Sequence, residues 1–313
     1  SPGTCAAPGN NIPLDPPSKG DQGGCCSLEQ RTCPAIEVHA ERKPVRDRSS
    51  IPMTAPAVTL TTDFGWRDPY VAAMKGVLAS TCPEAAVTDL SHGIGAQQVT
   101  EGALFLAGAA PWWPRGTIHV AVVDPGVGSS RQPVVIWAGG HIFVGPDNGL
   151  FTLALEVLGF ETARRIENPA CMLAEVTPTF HGRDVFAPTA GWLAAGGEGE
   201  DVGPLAGELV SLDIPAPHEP DPDTIVGEVI HIDHFGNACT NINRSQLKDG
   251  GRGRVRAAFR DIGPIRATYS DAEAGEALAL IGSTGHLEIA VRNGSAGETL
   301  GIGLGSPVRV RRE

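Results

Sequence analysis

Hydrophobic and polar residues follow two periods along this chain, one typical of strands and one typical of helices. From residue 57, short β-branched apolar runs lead into glycine turns, and segments with helical spacing follow them. The pattern predicts strands at 57–62, 86–90, 117–123, 133–138 and 141–144, and helices at 70–78, 98–110 and 150–158. Strands that alternate with helices imply a largely parallel, Rossmann-like sheet covered on both faces. We therefore expect an α/β domain over residues 53–212.

The pattern changes after residue 212, where four prolines interrupt the periodicity of residues 213–224. Proline cannot donate to a strand ladder, so this segment predicts a linker. Beyond it, alternating segments separated by glycine turns predict strands at 225–232, 252–259, 277–281, 286–291 and 307–311. Short strands at this spacing predict a smaller β domain over residues 225–313, either a barrel or a sandwich.

Residues 1–52 differ in composition from the rest of the chain. They are rich in Pro, Gly, Ser and charge and show no hydrophobic periodicity. Such a segment cannot bury enough apolar surface to offset its ordering entropy, so we expect a disordered or artefactual leader, with Met53 as the natural start. Four cysteines lie in it without the paired spacing of a zinc site: Cys5, Cys25, Cys26 and Cys33. The other three, Cys82, Cys171 and Cys239, are scattered, which favours a reducing cytoplasm.

Length and charge exclude several classes of function. The chain has 313 residues, 41% of them hydrophobic, which is enough for two domains and a sizeable core. Its net charge of −12 argues against a nucleic-acid partner, because a phosphate backbone is bound by a basic surface. No apolar segment approaches the roughly 20 residues that a membrane-spanning helix needs. We expect a cytoplasmic protein without nucleic-acid or membrane partners.

Three side chains that can handle a water molecule and its proton lie in two predicted loops. Asp124 and Arg131 stand at the two ends of a glycine-rich turn that follows the apolar run 118–123. His181 adds an imidazole from a second loop. Ligands of α/β folds bind at the carboxyl ends of strands, so these residues predict a catalytic site there.

The other motifs are ambiguous when taken alone. Asp63 follows the first strand and could bind a ribose diol or cap the next helix. Residues 145–149 read as a simple turn, and 282–290 as a glycine turn that enters a strand. Residues 233–237 supply a carboxylate, a ring and an amide that suit a charged amine and a flat heterocycle, but they could equally form a β-turn.

Taken together and in order, eight motifs resemble those of one family. They are TTDFG (61–65), PYVAAMKGV (69–77), VTDLSHGI (87–94), GTIHVAVVDPGVG (116–128), VGPDNGL (144–150), TFHGRDVFAP (179–188), DHFGN (233–237) and GSTGHLEIAVRNGSA (282–296). The set is similar to that of the S-adenosyl-L-methionine hydroxide adenosyltransferases, the hydrolytic relatives of the fluorinase and chlorinase. The resemblance covers about residues 57–311.

The resemblance implies a substrate and a role for each matching residue. S-adenosyl-L-methionine would lie between the α/β domain of one subunit and the β domain of its neighbour in a homotrimer. Asp63 would bind the ribose diol, Asp233 the methionine ammonium and Ser283 the methionine end, while Asn237 and the backbone at Val291 and Asn293 would bind adenine, with Phe235 as a wall of the pocket.

The nucleophile implied by the resemblance is water. Hydrolytic members carry the triad that matches Asp124, Arg131 and His181, whereas halogenating members have Tyr at its first and third positions. The halogenases also place hydroxyl side chains around the halide, at positions that match Val127 and Gly182. Water would displace methionine in line at the ribose 5′ carbon and give adenosine and L-methionine, with no metal or other cofactor. Either Asp124 or His181 could be the base.

Three alternatives stay open at this point. The chain could be a 5′-halogenating relative. It could be a noncatalytic sensor of S-adenosyl-L-methionine or adenosine that keeps Asp63, Asp233 and Asn237 but has no need of the triad. It could also be a metal hydrolase with ligands among Asp124, His119, His181 and Asp184, although these residues lack paired-ligand spacing.

Overall fold

The computed structural model describes residues 55–247 and 252–312, so the leader predicted for residues 1–52 lies outside the described residues. The first part of the described chain forms a six-stranded sheet. Its strands are β1 (Ala57–Thr62), β2 (Ala86–Ser91), β3 (Ile118–Val122), β4 (Pro133–Ala138), β5 (His141–Pro146) and β6 (Phe160–Arg165). The helices of the described chain are α1 (Tyr70–Thr81), α2 (Val99–Ala109), α3 (Thr152–Leu158), α4 (Ala187–Ala194) and α5 (Ala296–Leu300).

The sheet is mostly parallel, as the sequence predicts. Its order is β2-β1-β3-β5-β4-β6. β1 pairs in parallel with β2 and β3, and β3 pairs in parallel with β5. Only β4 runs against its neighbours β5 and β6.

Helices cover both faces of this sheet. Every residue of β1 is buried. On one face Leu60 and Val120 pack in a cluster with Leu78 of α1 and with α4, and on the other Ala121 of β3 packs in a cluster with Leu106 of α2 and with α3. Because successive strand residues point to opposite faces, burial on both sides explains the nearly continuous apolar runs in the sequence.

The second part of the described chain is a closed seven-stranded β-barrel, which decides between the barrel and the sandwich. Its strands are β8 (Thr224–Ile232), β9 (Ala238–Asn243), β10 (Arg254–Ala257), β11 (Arg260–Arg266), β12 (Ala277–Ile281), β13 (His286–Val291) and β14 (Pro307–Arg311). They follow the order β14-β10-β11-β12-β13-β9-β8, and β14 closes the ring by pairing with β8. A further strand, β7 (His218–Asp221), lies within the predicted linker and pairs with β8.

Several elements differ from the prediction. The single strand predicted at 252–259 is the strand β10, which turns at Ala258 and Phe259 into β11. The pattern did not predict β6, β9, α4 or α5. No helix within residues 55–247 and 252–312 is long and apolar enough to cross a membrane.

Candidate active site

The loops after β1 and β3 lie at the same edge of the sheet. β1 and β3 are parallel neighbours, and Asp63 follows β1 while Asp124 follows β3 by two residues. Parallel strands share the edge at which their carboxyl ends meet, so both carboxylates lie where ligands bind in open α/β sheets.

Asp124 and Arg131 form a buried, forked ion pair. Arg131 Nε donates to both carboxylate oxygens of Asp124 at 3.0 Å, and Nη2 makes a second, shorter contact with Oδ2. The Arg131 and Asp124 side chains are only 8% and 5% exposed. Two parallel charge-assisted bonds fix the plane of the guanidinium as well as its position.

His181 completes the triad through Arg131 Nη2, the nitrogen that also contacts Asp124. Its Nδ1 lies 2.8 Å from Arg131 Nη2. A guanidinium has donors only, so Nδ1 is the acceptor and a neutral ring carries its proton on Nε2. Burial and then the neighbouring charge of Arg131 lower the pKa of His181, although the carboxylates of Asp124 and Asp184 oppose the shift. The imidazole is therefore neutral near pH 7.

His181 is presented by a π-helical turn, which the sequence did not reveal. It immediately precedes Gly182–Phe186, a single π turn that runs directly into α4. Turns of this kind are rare and occur often at functional sites. Phe186 at the end of the turn packs against the triad, with its ring 5.3 Å from Arg131 Cζ and 6.5 Å from the His181 ring.

Asp184 anchors the segment that leads to His181. Its buried carboxylate accepts hydrogen bonds from the Thr177 backbone and hydroxyl at 2.9 and 2.5 Å and from Arg183 Nε at 2.5 Å. Burial alone would raise the pKa of Asp184, but these bonds outweigh it and lower the pKa. The Asp124 loop packs on the same segment at Gly128, whose φ is +77° and where a Cβ would lie 2.5 Å from the carbonyl oxygen of Pro178. Only glycine fits this approach.

One donor of the triad has no protein partner. Arg131 Nη1 is buried and makes no hydrogen bond to any described residue. Leaving a buried, charged donor unpaired is costly, so this atom marks a position where an oxygen lone pair or an anion would be stabilised.

Asp63 does not cap the next helix, which removes one of its two interpretations. α1 has Pro69 at its N-cap and no side-chain cap. Asp63 Oδ2 instead accepts a hydrogen bond of 2.7 Å from the backbone N–H of Gln97, which shortly precedes the start of α2. The carboxylate is only partly buried and keeps acceptor capacity on Oδ1.

A network around His92, which sequence reasoning missed, ties the loops after β1 and β2 together. His92 Nε2 lies 3.0 Å from Asp89 Oδ1, and Nδ1 lies 2.8 Å from Thr62 Oγ1. Because a carboxylate only accepts, Nε2 carries the proton and Thr62 donates to Nδ1. The His92 carbonyl also accepts from the Gly65 backbone at 2.8 Å. The Asp-Leu-Ser-His spacing in the sequence was the available signal.

The predicted adenine and ammonium residues cluster at one end of the barrel. Asp233 Oδ1 accepts from the backbones of Phe235 and Asn237 at 2.9 and 2.8 Å, and Oδ2 accepts from Asn237 Nδ2 at 2.9 Å. The residues 233–237 thus form a turn held by Asp233. Phe235 at its tip is 74% exposed, while Asn237 is buried.

The turn at 233–237 packs against the segment that follows β13. Gly297 donates its backbone N–H to the Gly236 carbonyl at 3.0 Å, and a Cβ on Gly236 would meet Ser295 Oγ at 2.1 Å. Val291 and Asn293 lie just before this contact, and Asn293 has a φ of +58°. The structure therefore brings these two residues to the same end of the barrel as Asn237.

Ser283 lies in the turn between β12 and β13, beside the far end of α2. A Cβ on Gly108, one residue before α2 ends, would lie 3.9 Å from Thr284 Cγ2. α2 begins two residues after Gln97, the partner of Asp63, and an 11-residue helix spans about 16 Å. Within one chain, Asp63 and Ser283 are therefore separated by about a helix length.

The four residues considered as ligands in the metal-hydrolase alternative do not form one metal-binding group. His119 Nδ1 and Nε2 bond to Thr59 at 2.8 Å and to His141 at 3.2 Å inside the sheet, and Asp184 bonds to Thr177 and Arg183. Among the residues that the structure describes, no three His, Cys, Asp or Glu side chains are grouped so as to hold a metal ion.

Two family models match the chain. The N-terminal domain model of the SAM hydroxide adenosyltransferases matches residues 58–203, and the C-terminal domain model matches residues 227–309.

Curated relatives match over most of their length. The (R)-S-adenosyl-L-methionine hydrolase of Salinispora arenicola is 40% identical over 260 residues, covering 82% of this chain and 98% of the relative. That of Thermus thermophilus is 41% identical over 260 residues, covering 81% and 98%. A fluorinase of Nocardia brasiliensis is 29% identical over 290 residues, covering 82% and 97%.

The fold is also found in a solved structure. An uncharacterized conserved protein from Thermotoga maritima superposes with a TM-score of 0.74 at 32% identity, covering 82% of this chain and 100% of that protein.

Proposed function

This chain belongs to the SAM hydroxide adenosyltransferase family, and from that premise we propose that it hydrolyses S-adenosyl-L-methionine by attack of water at the ribose 5′ carbon, releasing adenosine and L-methionine. The protein is an enzyme of the hydrolase class, as its relatives at about 40% identity are. The observation that carries the proposal is the contact of Asp124, Arg131 and His181, which the loop after β3 and the segment before α4 bring together.

Water is favoured over halide by two positions that carry no hydroxyl. Val127 lies in the turn between Asp124 and Arg131, and Gly182 opens the π turn. A Cβ at Gly182 would lie 3.2 Å from Met74 Sδ and 3.3 Å from the Phe180 ring. These groups fill the room that a hydroxyl side chain would need at that position.

The chemical difficulty lies in the nucleophile and not in the leaving group. The departing sulfonium becomes a neutral thioether and needs no proton. Water has a pKa of about 15.7, so the site must remove a proton as the new C–O bond forms. Positive charge at Arg131 stabilises the oxygen as it gains negative charge, and its unpaired Nη1 is the donor available for this.

Asp124 is the base in this proposal. The Nδ1 lone pair of His181 is occupied by Arg131, so its ring has no free acceptor and offers only the Nε2 proton as a donor. Asp124 has two oxygens with about four acceptor positions, and the three contacts from Arg131 leave one of them for the proton of water. Arg131 and His181 then orient the water, and Asp124 takes its proton.

The same proposal assigns the binding residues. Asp63 binds the ribose diol through the acceptor capacity that Gln97 leaves free. Asn237 keeps its side-chain oxygen for the adenine amino group, because its Nδ2 is bonded to Asp233, and the exposed Phe235 is a wall of the pocket. The backbone at Val291 and Asn293 completes the adenine contacts.

The proposal includes a homotrimer with shared pockets, which the resemblance to the family implies. In it, the barrel of a neighbouring subunit supplies Ser283 and Asp233 to the pocket that holds Asp63. The exposure of Phe235, a proposed wall of the pocket, supports cover by a neighbouring subunit.

Turnover in ¹⁸O-labelled water tests the reaction. Adenosine should carry the label in its 5′ hydroxyl, L-methionine should form in equal amount, and chloride or fluoride should give no halogenated nucleoside. Unlabelled adenosine would overturn the mechanism, and binding without turnover would identify a sensor.

We also propose that the reaction needs no metal or other cofactor and takes place in the cytoplasm. Sulfonium departure needs no Lewis acid, so activity should survive dialysis against a chelator, and its loss would contradict this. The free thiols of Cys82, Cys171 and Cys239 support a reducing compartment.

A further inference from the structure

A half-buried carboxylate lies on the outer face of the barrel, close to the proposed methionine end. Glu288 of β13 is paired directly with Cys239 of β9. Tyr269 donates its hydroxyl to Glu288 Oε1 at 2.5 Å. The other oxygen, Oε2, lies 2.8 Å from the position that a Cβ on Gly282 would occupy, so the missing side chain of Gly282 leaves room for it beside Ser283.

The groups around Glu288 share a strongly negative field. Burial and then the charge of Asp233 raise the pKa of Glu288, against the opposing hydrogen bond from Tyr269. Burial, Glu288 and Asp233 together raise the pKa of Cys239 to about 12. The pKa of Tyr269 is also raised, first by burial, then by its hydrogen bond to Glu288 and by the charges of Glu288 and Asp233. A cation bound here would be attracted by both carboxylates and would relieve their mutual repulsion.

Asp233 alone is poorly suited to hold that cation. Three hydrogen bonds from within its own turn already occupy its two oxygens. A carboxylate has about four acceptor positions, so one is left. An alkyl ammonium has three donors, and it needs acceptors from more than one group. Oε2 of Glu288 receives no hydrogen bond from the described residues and can supply another acceptor.

We propose that Glu288, held in place by Tyr269, is a specificity-determining residue that binds the ammonium group at the amino-acid end of the substrate together with Asp233. This inference rests on the proposed function, and it deepens the description of the same site. Tyr269 is a positioning residue, because it acts through Glu288. The pair selects a nucleoside that carries a cationic amino-acid tail over one that lacks it.

The test is a steady-state comparison of wild type with Glu288→Gln, which keeps the shape and an acceptor for Tyr269 but loses the charge. KM for S-adenosyl-L-methionine should rise about 10- to 100-fold, as expected for the loss of a hydrogen bond to a charged group, while kcat changes little. Inhibition by L-methionine should weaken by the same factor. Inhibition by adenosine, which has no ammonium group, should be unchanged.

Two further variants complete the design. Tyr269→Phe should raise KM by a smaller factor and leave kcat in place; it also serves as the test if Glu288→Gln does not fold. Glu273→Gln is the matched control, because Glu273 is exposed on the segment between Tyr269 and β12. Its constants should equal those of wild type.

The outcomes separate this inference from the proposed function. An unchanged KM in Glu288→Gln, or an equal loss of affinity for adenosine and L-methionine, overturns the inference while wild-type turnover still stands. If wild type forms no adenosine and L-methionine, the proposed function fails and the inference fails with it.

Discussion

Replacing Arg131 with Ala should remove most of the turnover and part of the stability. The side chain joins Asp124 to His181 and carries the unpaired Nη1 donor. Removing one donor that stabilises a developing oxyanion costs about 2.7–4 kcal/mol, or about 100- to 1,000-fold in kcat. Asp124, only 5% exposed, would lose its counter-ion, which destabilises a protein by about 3–5 kcal/mol when the pair is buried.

Arg131→Lys tests whether the positive charge alone is enough or whether the hydrogen bonds of the guanidinium are also needed. A lysine keeps the positive charge, but its single nitrogen cannot reproduce the fork on Asp124 and the bond to His181 together. The loss of one charge-assisted bond, about 1.5 kcal/mol, predicts a fall in kcat of about tenfold. The assay is the initial rate of adenosine formation at saturating substrate, with urea unfolding measured in parallel.

The barrel offers a matched control. Arg254 forms a similar fork with Asp261, with Nε donating to Oδ1 at 3.1 Å, but the two side chains are 55% and 48% exposed. Exposed pairs contribute about 0–1 kcal/mol, so Arg254→Ala should leave kcat and stability nearly unchanged. Wild-type kcat in folded Arg131→Ala would refute the role of Arg131. Equal losses in Arg131→Ala and Arg254→Ala would show that the effect is not specific to the site.

Three more predictions follow from other parts of the structure. Asp63→Ala should weaken binding of adenosine and of S-adenosyl-L-methionine by about the same factor, because both carry the ribose diol. Each lost charge-assisted hydrogen bond is worth about 1.5–3 kcal/mol. An unchanged affinity for adenosine in titration calorimetry would contradict the assignment of Asp63 to the diol. Gly128→Ala should lower both the melting temperature and kcat. A Cβ there would lie 2.5 Å from the Pro178 carbonyl oxygen, so the loops that hold Arg131 and His181 would have to separate. A melting temperature equal to that of wild type would contradict this. Burial and then His141 lower the pKa of His119 from 6.5 to about 3, so the unfolded state gains a proton first as the pH falls below about 6.5. Urea unfolding should show about 1.4 kcal/mol of stability lost per pH unit from this group down to about pH 3, and a shallower loss in His119→Gln; equal slopes would contradict this.

The elements with strong periodicity were predictable, and those that break a local rule were not. Buried strands such as β1 and β3 gave continuous apolar runs because both faces are covered. α4 was missed because Pro188 interrupts the pattern, although proline is tolerated in the first turn of a helix. β9 was missed because small or polar residues, Ala238 and Thr240, occupy two of its three buried positions. Thr240, for example, is fully buried and donates to the Leu287 carbonyl at 2.8 Å.

The turn between β10 and β11 carried no recognisable signal. Ala258 and Phe259 both have positive φ, 46° and 67°, where glycine or asparagine would be expected. Without glycine or asparagine at these two positions, the sequence predicts a continuous strand over residues 252–259.

The residues of the candidate triad could be predicted from the sequence, but the contacts between them could not. Asp124, Arg131 and His181 carry distinctive chemistry in loops, so their residue types point to a site. The central place of Arg131 between the other two residues, the π turn that presents His181 and the tautomer of its ring depend on packing among distant segments. The cation-binding role of Asp233 stays a prediction, and its hydrogen bonds within the turn at 233–237 had no signal in the sequence.

Closure of the barrel by β14 ties the assembly of that part of the protein to the order in which the chain is synthesised. β14 pairs with β8, about 80 residues earlier in sequence, and with β10. On the ribosome, β8 must wait with one edge unpaired until β14 has emerged from the exit tunnel, whereas the sheet that carries Asp124 has all its strands by Arg165. Contacts between such distant segments are slow to form, so the α/β part should be structured while the barrel is still an incomplete sheet. The unpaired strand edges of that sheet would be open to aggregation with other chains until β14 pairs.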